Sequence, residues 1–521
     1  MKNKKGKSEM LAIVNSFGLV GLNGYLVKVE IDVNKGLPTY EMVGLADAAI
    51  KESKQRVLSA IKNQGYNYPI SRITINLAPA DTKKEGSLYD LPIAIGILVG
   101  TEQISAEREL LDGLSFIGEL SLDGTLRRIK GLLPILITAR SLGIKKVVIP
   151  KGNANEAGFI EGLDVYPAEN LEEVVKFLNG EIEIKPVEVM SYEYIKSTRK
   201  AMGDFSQIKG QASAKRALEI SAAGGHNVLL IGPPGSGKTM LARAFPTILP
   251  DMTFEEALEV TKIHSIAGTL DSRVGILTER PFRSPHHTAT IIALTGGGQK
   301  AKPGEISLAH NGVLFLDEMP EYNRHTLEAL RQPLEDGIIT VARNAQTVEY
   351  PADFVLIVSM NPCPCGNYGS KDHPCRCTPS QIHNYLSKLS GPLMDRIDML
   401  IEVDSVSYED LSGTVDEEPS CEIKKRVDKA RDVQSKRFAG KKIYSNSKMS
   451  NAMIKKYCKL DDESIAFLGE AFESLKLTAR AYNRVLKVAR TIADLEGSEN
   501  VKLDHVIEAI NYRSLDDKYL A

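Results

Sequence analysis

The stretch "NVLLIGPPGSGKTMLARAF", residues 227–245, constrains the fold more than any other part of the chain, because it sets an apolar run, a glycine-rich loop and a helix start in immediate succession. Gly232, Gly237, Lys238 and Thr239 have the G-x-x-x-x-G-K-[ST] spacing of a phosphate-binding loop, with Pro233, Pro234, Gly235 and Ser236 between them. Such a loop closes backbone N–H groups around phosphate oxygens at a helix N-terminus. Lys238 adds a point charge toward the β- and γ-phosphates, and the Thr239 hydroxyl suits Mg²⁺. Residues 232–239 are therefore the expected ATP cradle, in a strand–loop–helix unit of an α/β domain.

Downstream motifs extend this reading. "GVLFLDEM" reads as a buried strand ending in Asp317 and Glu318. Asp317 is placed to hold Mg²⁺, and Glu318 to orient and deprotonate an attacking water, so the pair points to hydrolysis beyond binding. "FVLIVSMNP" reads as another buried strand, and its Asn361 can set an amide beside the γ-phosphate. "SGPLMDRID" offers Arg396, and Arg480 stands near the start of the helical stretch "LTARAYNRVLKVARTIADL". Alone, each arginine reads as a solvated or salt-bridged side chain; in this order after a phosphate loop, both read as phosphate ligands.

At 521 residues the chain exceeds a single core. Residues 11–179 alternate short β-like runs with helical ones, and a second α/β block runs from about Phe205 to Val403. The pattern from Glu422 onward is helical. The longest apolar run, "LPIAIGILVG", falls far short of the ~20 residues of a membrane span. The apolar stretch after the basic start is broken by Asn15, Ser16 and Gly18 and lacks a clear cleavage site, so no signal peptide and a cytoplasmic location are expected. A net charge of −2 excludes a uniformly basic coat, and any nucleic-acid contact must use local patches. Residues 421–459 are one candidate, with thirteen Lys/Arg against three Asp/Glu; a solvated helix face is the alternative.

The loop "NPCPCGNYGSKDHPCRC", residues 361–377, holds Cys363, Cys365, Cys375 and Cys377 as C-x-C-x9-C-x-C. Four thiolates suffice for tetrahedral Zn²⁺, although two intervening residues are the commoner spacing. A structural zinc knuckle and four reduced thiols both remain open.

In their order these motifs resemble the AAA+ ATPases, within them the magnesium-chelatase-like branch, and most closely the ComM/YifB family. The resemblance spans nearly the whole chain and includes "RPFRSPHHTATIIALTGGGQKAKPGEISLAHNGVLFLDEM", "NPCPCG" and "SGPLMDRID". It implies that Arg396 is an arginine finger toward a neighbouring subunit's nucleotide and Arg480 a second sensor, hence an oligomer, a homohexameric ring. It also implies hairpins entering the ring pore. One candidate is "TGGGQKAKPG" with Lys300 and Lys302; the other is "GIITVARNAQTVEYP", a strand–turn–strand with Arg343 at its tip. Basic tips there suit a DNA backbone, through contacts independent of base sequence.

Residues 11–179 resemble the Lon protease domain, through "KEGSLYDLPIAIGIL" and "IGELSLDGTLRRIKGLLPILITARSLGIKKVVIP". The family's catalytic Ser and Lys fall near Leu88 and Leu133, which cannot do that chemistry. Ser87 and Lys130 would restore a dyad only under a shifted register. A scaffold role in ring formation or DNA guidance is expected instead.

The expected fold is thus multidomain α/β. Residues 1–180 form an α+β Lon-protease-like domain (ribosomal S5 domain 2-like) lacking the dyad, and 181–204 a linker. Residues 205–404 form the AAA+ P-loop core with its four-cysteine loop, and 405–521 a linker and all-α lid. The implied function is an ATP-hydrolysing, ring-forming DNA translocase that drives helicase-like branch migration in recombination of incoming DNA. Its partners would be single-stranded or branched DNA, further copies of the chain and recombination proteins, with no membrane. A chelatase-type motor for metal insertion into a porphyrin and an ATP-dependent protease or unfoldase are the alternatives.

Overall fold

The computed structural model describes residues 11–105, 108–197, 203–271, 273–298, 301–343, 346–369, 373–389, 391–405, 416–441, 443–475, 477–515 and 519. The chain divides into two compact units, Met1–Thr198 with Ala257–Leu277, and Arg199–Glu256 with Thr278–Ala521.

The first unit contains β1 (Ala12–Val20), β2 (Asn23–Asn34), β3 (Thr39–Val43), β4 (Arg72–Ala78), β5 (Leu114–Phe116), β6 (Glu119–Leu120), β7 (Leu126–Arg127), β8 (Lys146–Pro150) and β9 (Asp164–Ala168). Seven of these form one mixed sheet in the order β3-β4-β2-β1-β5-β8-β9, while β6 and β7 make a separate hairpin. Strand β4 alternates as a half-buried strand must, sending Ile73, Ile75 and Leu77 inward. The helix Asp90–Gly100 is apolar on nearly every face and is buried from Asp90 to Leu98. At Gly96 a side chain would meet Ile31 and Val14, so this helix lies close on β1 and β2. Asp90 is the one charge in that helix. Burial raises its pKa to about 6, against the pull of Arg56, whose guanidinium donates to both carboxylate oxygens at 2.7 and 3.0 Å.

Ser87 donates to the Glu119 carboxylate, and the Lys130 side chain runs along Gly268. No hydrogen bond joins Ser87 to Lys130 among the described residues, and Leu88 and Leu133 pack in the apolar core.

Residues 257–277 leave the second α/β block in sequence and pack with the first unit. Their anchor is Glu156, 2% exposed, which accepts from Arg128 at 2.9 Å and from the Ser265 hydroxyl at 2.8 Å. Arg128 also donates to the Leu270 carbonyl, and Gly131 N–H to that of Ser265.

The second unit contains β10 (Val228–Ile231), β11 (Phe282–Arg283), β12 (Gly296–Gly297), β13 (Lys302–Pro303), β14 (Val313–Leu316), β15 (Ile338–Arg343), β16 (Gln346–Pro351), β17 (Val355–Met360) and β18 (Met399–Glu402). Five of them form a parallel sheet in the order β11-β14-β17-β10-β18. Strands β10 and β14 are buried at all four positions, as strands covered on both faces must be. Because β10 lies between β17 and β18, the carboxyl ends of β10, β14 and β17 open side by side, where ligands of open α/β sheets bind. From Ser420 onward the described elements are all helical. Val427, Val485, Leu486 and Ala489 of these helices share a core with Val228, Leu230 and Phe315 of the sheet. Among the described residues no helix is long and apolar enough to cross a membrane.

Candidate active site

The loop after β10 folds as its residues dictate. Gly235 and Gly237 have φ of +79° and +91°, which L side chains adopt only under strain, and the helix Lys238–Ala244 starts directly afterwards. The buried Lys238 ammonium donates to the carbonyls of Gly232 and Pro233, both at 2.8 Å. It also lies 3.4 Å from both Ser236 Oγ and Asn361 Oδ1, so the end of β17 meets the loop as expected. Burial lowers the Lys238 pKa, and the nearby Asp317 and Glu318 carboxylates oppose that shift.

Thr239 Oγ1 donates to Asp317 Oδ2 at 2.9 Å, and the Ser359 hydroxyl donates to the other oxygen of the same carboxylate. Asp317 is thereby fixed from both sides with its charge turned toward the loop. Glu318 differs. Its backbone is left-handed, with φ of +53°, its N–H donates to Ser359 Oγ, and its side chain is 57% exposed. His287 Nδ1 lies 4.0 Å from its carboxylate. A strained, non-glycine conformation immediately after a buried strand places one carboxylate in the site and the next one free toward solvent. The two acids are thus suited to different work, one to a cation and the other to a water. The donors around Thr239 and Asp317, a hydroxyl and a hard carboxylate, fit Mg²⁺.

Ser359 and His287 were not singled out from the sequence. The signal for Ser359 was a hydroxyl inside the apolar run "FVLIVSM", since a buried polar group needs a partner. For His287 the adjacent histidines in "SPHHTAT" were the available cue.

The two arginines lie together. Arg396 forms an ion pair with Glu335, and Arg480 donates to Asp395 at 2.8 Å. Burial lowers the Arg396 pKa, and the positive charges of Arg480 and Arg331 lower it further. Among the described residues neither Arg396 nor Arg480 hydrogen-bonds to residues 232–239; the bonds of Lys238 stay within its own loop and Asn361.

The strands flanking both expected tips pair, while residues 299–300 and 344–345 lie outside the described residues. β12 pairs antiparallel with β13, and β15 with β16 along six residue pairs, from Ile338 opposite Pro351 to Arg343 opposite Gln346. The Tyr350 hydroxyl donates to the Ala301 carbonyl at 2.7 Å and ties the two hairpins together. Lys302 is exposed on β13, Arg343 ends β15, and Lys300 lies outside the described residues. The basic stretch 421–459 spends much of its charge on structure: Lys424 pairs with Asp251, Lys425 with Glu422, Arg426 with Glu418 and Glu219, Arg437 with Asp494, and Lys448 with Asp353.

The sulfurs of Cys363, Cys365, Cys375 and Cys377 all lie within 4.8 Å of one another. Cys363 is fully buried. Backbone N–H groups of Arg376 and Asn367 bring the Cys365 thiol down to about 6.

Three family models match the chain. Residues 204–411 match magnesium chelatase, subunit ChlI; residues 29–153 match subunit ChlI of Mg-chelatase; and residues 417–513 match the C-terminal part of the same subunit. Competence protein ComM of Haemophilus influenzae is 44% identical over 507 residues, 97% of this chain and 98% of that protein. The YifB protein of Escherichia coli is 45% identical over 510 residues, 97% of each chain. The magnesium-chelatase 38 kDa subunit of Cereibacter sphaeroides is 28% identical over 174 residues, 30% of this chain and 52% of that subunit.

Proposed function

Because the chain belongs to the ComM/YifB family of magnesium-chelatase-like AAA+ ATPases, we propose that it hydrolyses ATP between adjacent copies of itself and uses the cycle to move DNA. Its task on this reading is branch migration during recombination of incoming DNA. The observation that carries the ATPase reading is the division of labour after β14, with Asp317 held by Thr239 and Ser359 while Glu318 stays exposed.

Each group then has a role. Lys238 exchanges neutral carbonyl acceptors for the charged oxygens of the terminal phosphates, a stronger bond. Thr239 and Asp317 would hold magnesium, which would supply positive charge to offset that of the terminal phosphates. The Glu318 carboxylate accepts a proton from the attacking water, and the Asn361 amide, already beside Lys238, orients the γ-phosphate end. Arg396 and Arg480 complete the site of the next subunit, which makes the active form an oligomer, a hexameric ring on the family's pattern.

The joined hairpins supply the DNA contact, with Lys302 and Arg343 against phosphates. The similarity to ComM along almost the whole chain favours DNA over a porphyrin partner, since the 38 kDa chelatase subunit of Cereibacter sphaeroides aligns over only 174 residues at 28% identity. ATP turnover is expected to rise when a four-way DNA junction is added, and to rise less as salt increases. Arg343→Ala is expected to reduce that rise. Turnover indifferent to single-stranded and branched DNA alike would overturn the translocase reading.

A further inference from the structure

We propose that Cys363, Cys365, Cys375 and Cys377 bind one zinc ion as four thiolates, and that this metal holds Asn361 and Pro234 in the geometry needed for ATP turnover. The second half of the proposal rests on the ATPase reading above; the first does not.

The sulfur spacing carries the metal. The Sγ atoms of Cys363 and Cys365 are 3.4 Å apart, those of Cys363 and Cys375 3.7 Å, and those of Cys365 and Cys375 3.6 Å. Zinc–sulfur bonds of about 2.3 Å give a tetrahedron with edges of about 3.8 Å. A disulfide would bring two sulfurs to about 2.05 Å and leave the others out. Backbone N–H groups are already aimed at the sulfurs, from Tyr368 to Cys363 at 3.3 Å and from Cys377 to Cys375 at 3.4 Å, the kind of outer support that orients metal ligands. An all-sulfur donor set selects zinc over magnesium or calcium.

The position of the site in the fold carries its role. Cys363 follows Asn361 by two residues, and Asn361 Oδ1 lies against the Lys238 ammonium. Gly366, with φ of +81°, turns the cysteine loop so closely over the phosphate loop that a Cβ there would stand 2.4 Å from Pro234 Cδ. At the other end of the loop, Thr378 begins the helix Pro379–Leu386 with a capping box to Gln381. Without a metal, four thiols must hold together a loop that touches the phosphate loop and Asn361 at once; a bound ion makes that support rigid.

The test uses the full chain. Metal content is measured on protein purified from zinc-replete cells, and cobalt is substituted to read the charge-transfer and d–d bands of a tetrahedral thiolate site. The metal is then stripped with a thiol-binding mercurial plus chelator and restored with excess thiol and zinc. Turnover and fluorescent-nucleotide binding are followed separately, and circular dichroism monitors folding. About one zinc per chain is expected, together with a reversible fall in turnover of about tenfold or more, within what a 1 Å misplacement costs. The paired change Cys375→Ser with Cys377→Ser is expected to abolish the cobalt bands; should that variant fail to fold, the strip-and-restore arm on the native sequence decides. Protein without bound metal, or with cobalt bands of another geometry, overturns the site. Metal bound but turnover unchanged by stripping overturns the coupling. A zinc-loaded protein with no ATPase at all leaves the site standing and sinks the function proposed above.

Discussion

Lys238→Ala protein is expected to lose ATP turnover by about 10³-fold, with nucleotide binding weakened in parallel. The reason lies in what the ammonium touches. Its acceptors are the Gly232 and Pro233 carbonyls, with Ser236 and Asn361 farther off, and all four belong to the loop or to the strand end facing it. Burial works against the charge while Asp317 and Glu318 favour it, so the cation is stabilised by the acids that serve the reaction. Removing it leaves two carboxylates facing an incoming triphosphate with no positive charge from the loop. A Lys238→Met variant, which keeps the buried stem, separates charge from packing: it should melt like the native protein and be as inactive as the alanine form. Turnover in either variant above about a tenth of the native rate would contradict this assignment.

The part of the site that lies within one contiguous segment was legible in the sequence. The phosphate loop is such a segment, so the spacing of Gly232, Gly237, Lys238 and Thr239 was sufficient. Asp317, Glu318 and Asn361 were legible because each ends an apolar run, and parallel strands deliver their carboxyl ends to one edge. Relations between distant segments were not. Ser359, buried in the same strand as Asn361, becomes meaningful only when β14 and β17 pair and its hydroxyl meets Asp317. The excursion 257–277 reads as part of the second α/β block along the chain, yet its polar anchors, Glu156 and Arg128, come from the first unit. Counting charge over residues 421–459 alone misses their partners: most of the paired acids, including Asp251, Glu219, Asp353 and Asp494, lie outside that window. Proximity in space, unlike sequence order, sets Arg480 beside Arg396.

That last neighbourhood yields the second large effect. Arg396→Ala is expected to reduce turnover by about 10³-fold or more while leaving ATP binding nearly intact, because a finger acts on transition-state charge. Arg396 pairs with Glu335 and Arg480 with Asp395, and the Arg396 pKa is lowered first by burial and then by the positive charges of Arg480 and Arg331. A polyphosphate presented by a neighbour would neutralise such a cluster, whereas the chain's own phosphate loop is already served by Lys238. Mixing two dead proteins decides between the arrangements. In a ring built from Arg396→Ala and Lys238→Ala subunits, head-to-tail interfaces join an intact loop to an intact arginine in roughly a quarter of cases. Action across the interface therefore predicts that activity appears on mixing, although neither parent has any. Action within one chain predicts that the mixture stays dead at every ratio, since every subunit then lacks one of the two groups. The mixture separates the two because a loop and a finger from different chains can meet only at an interface.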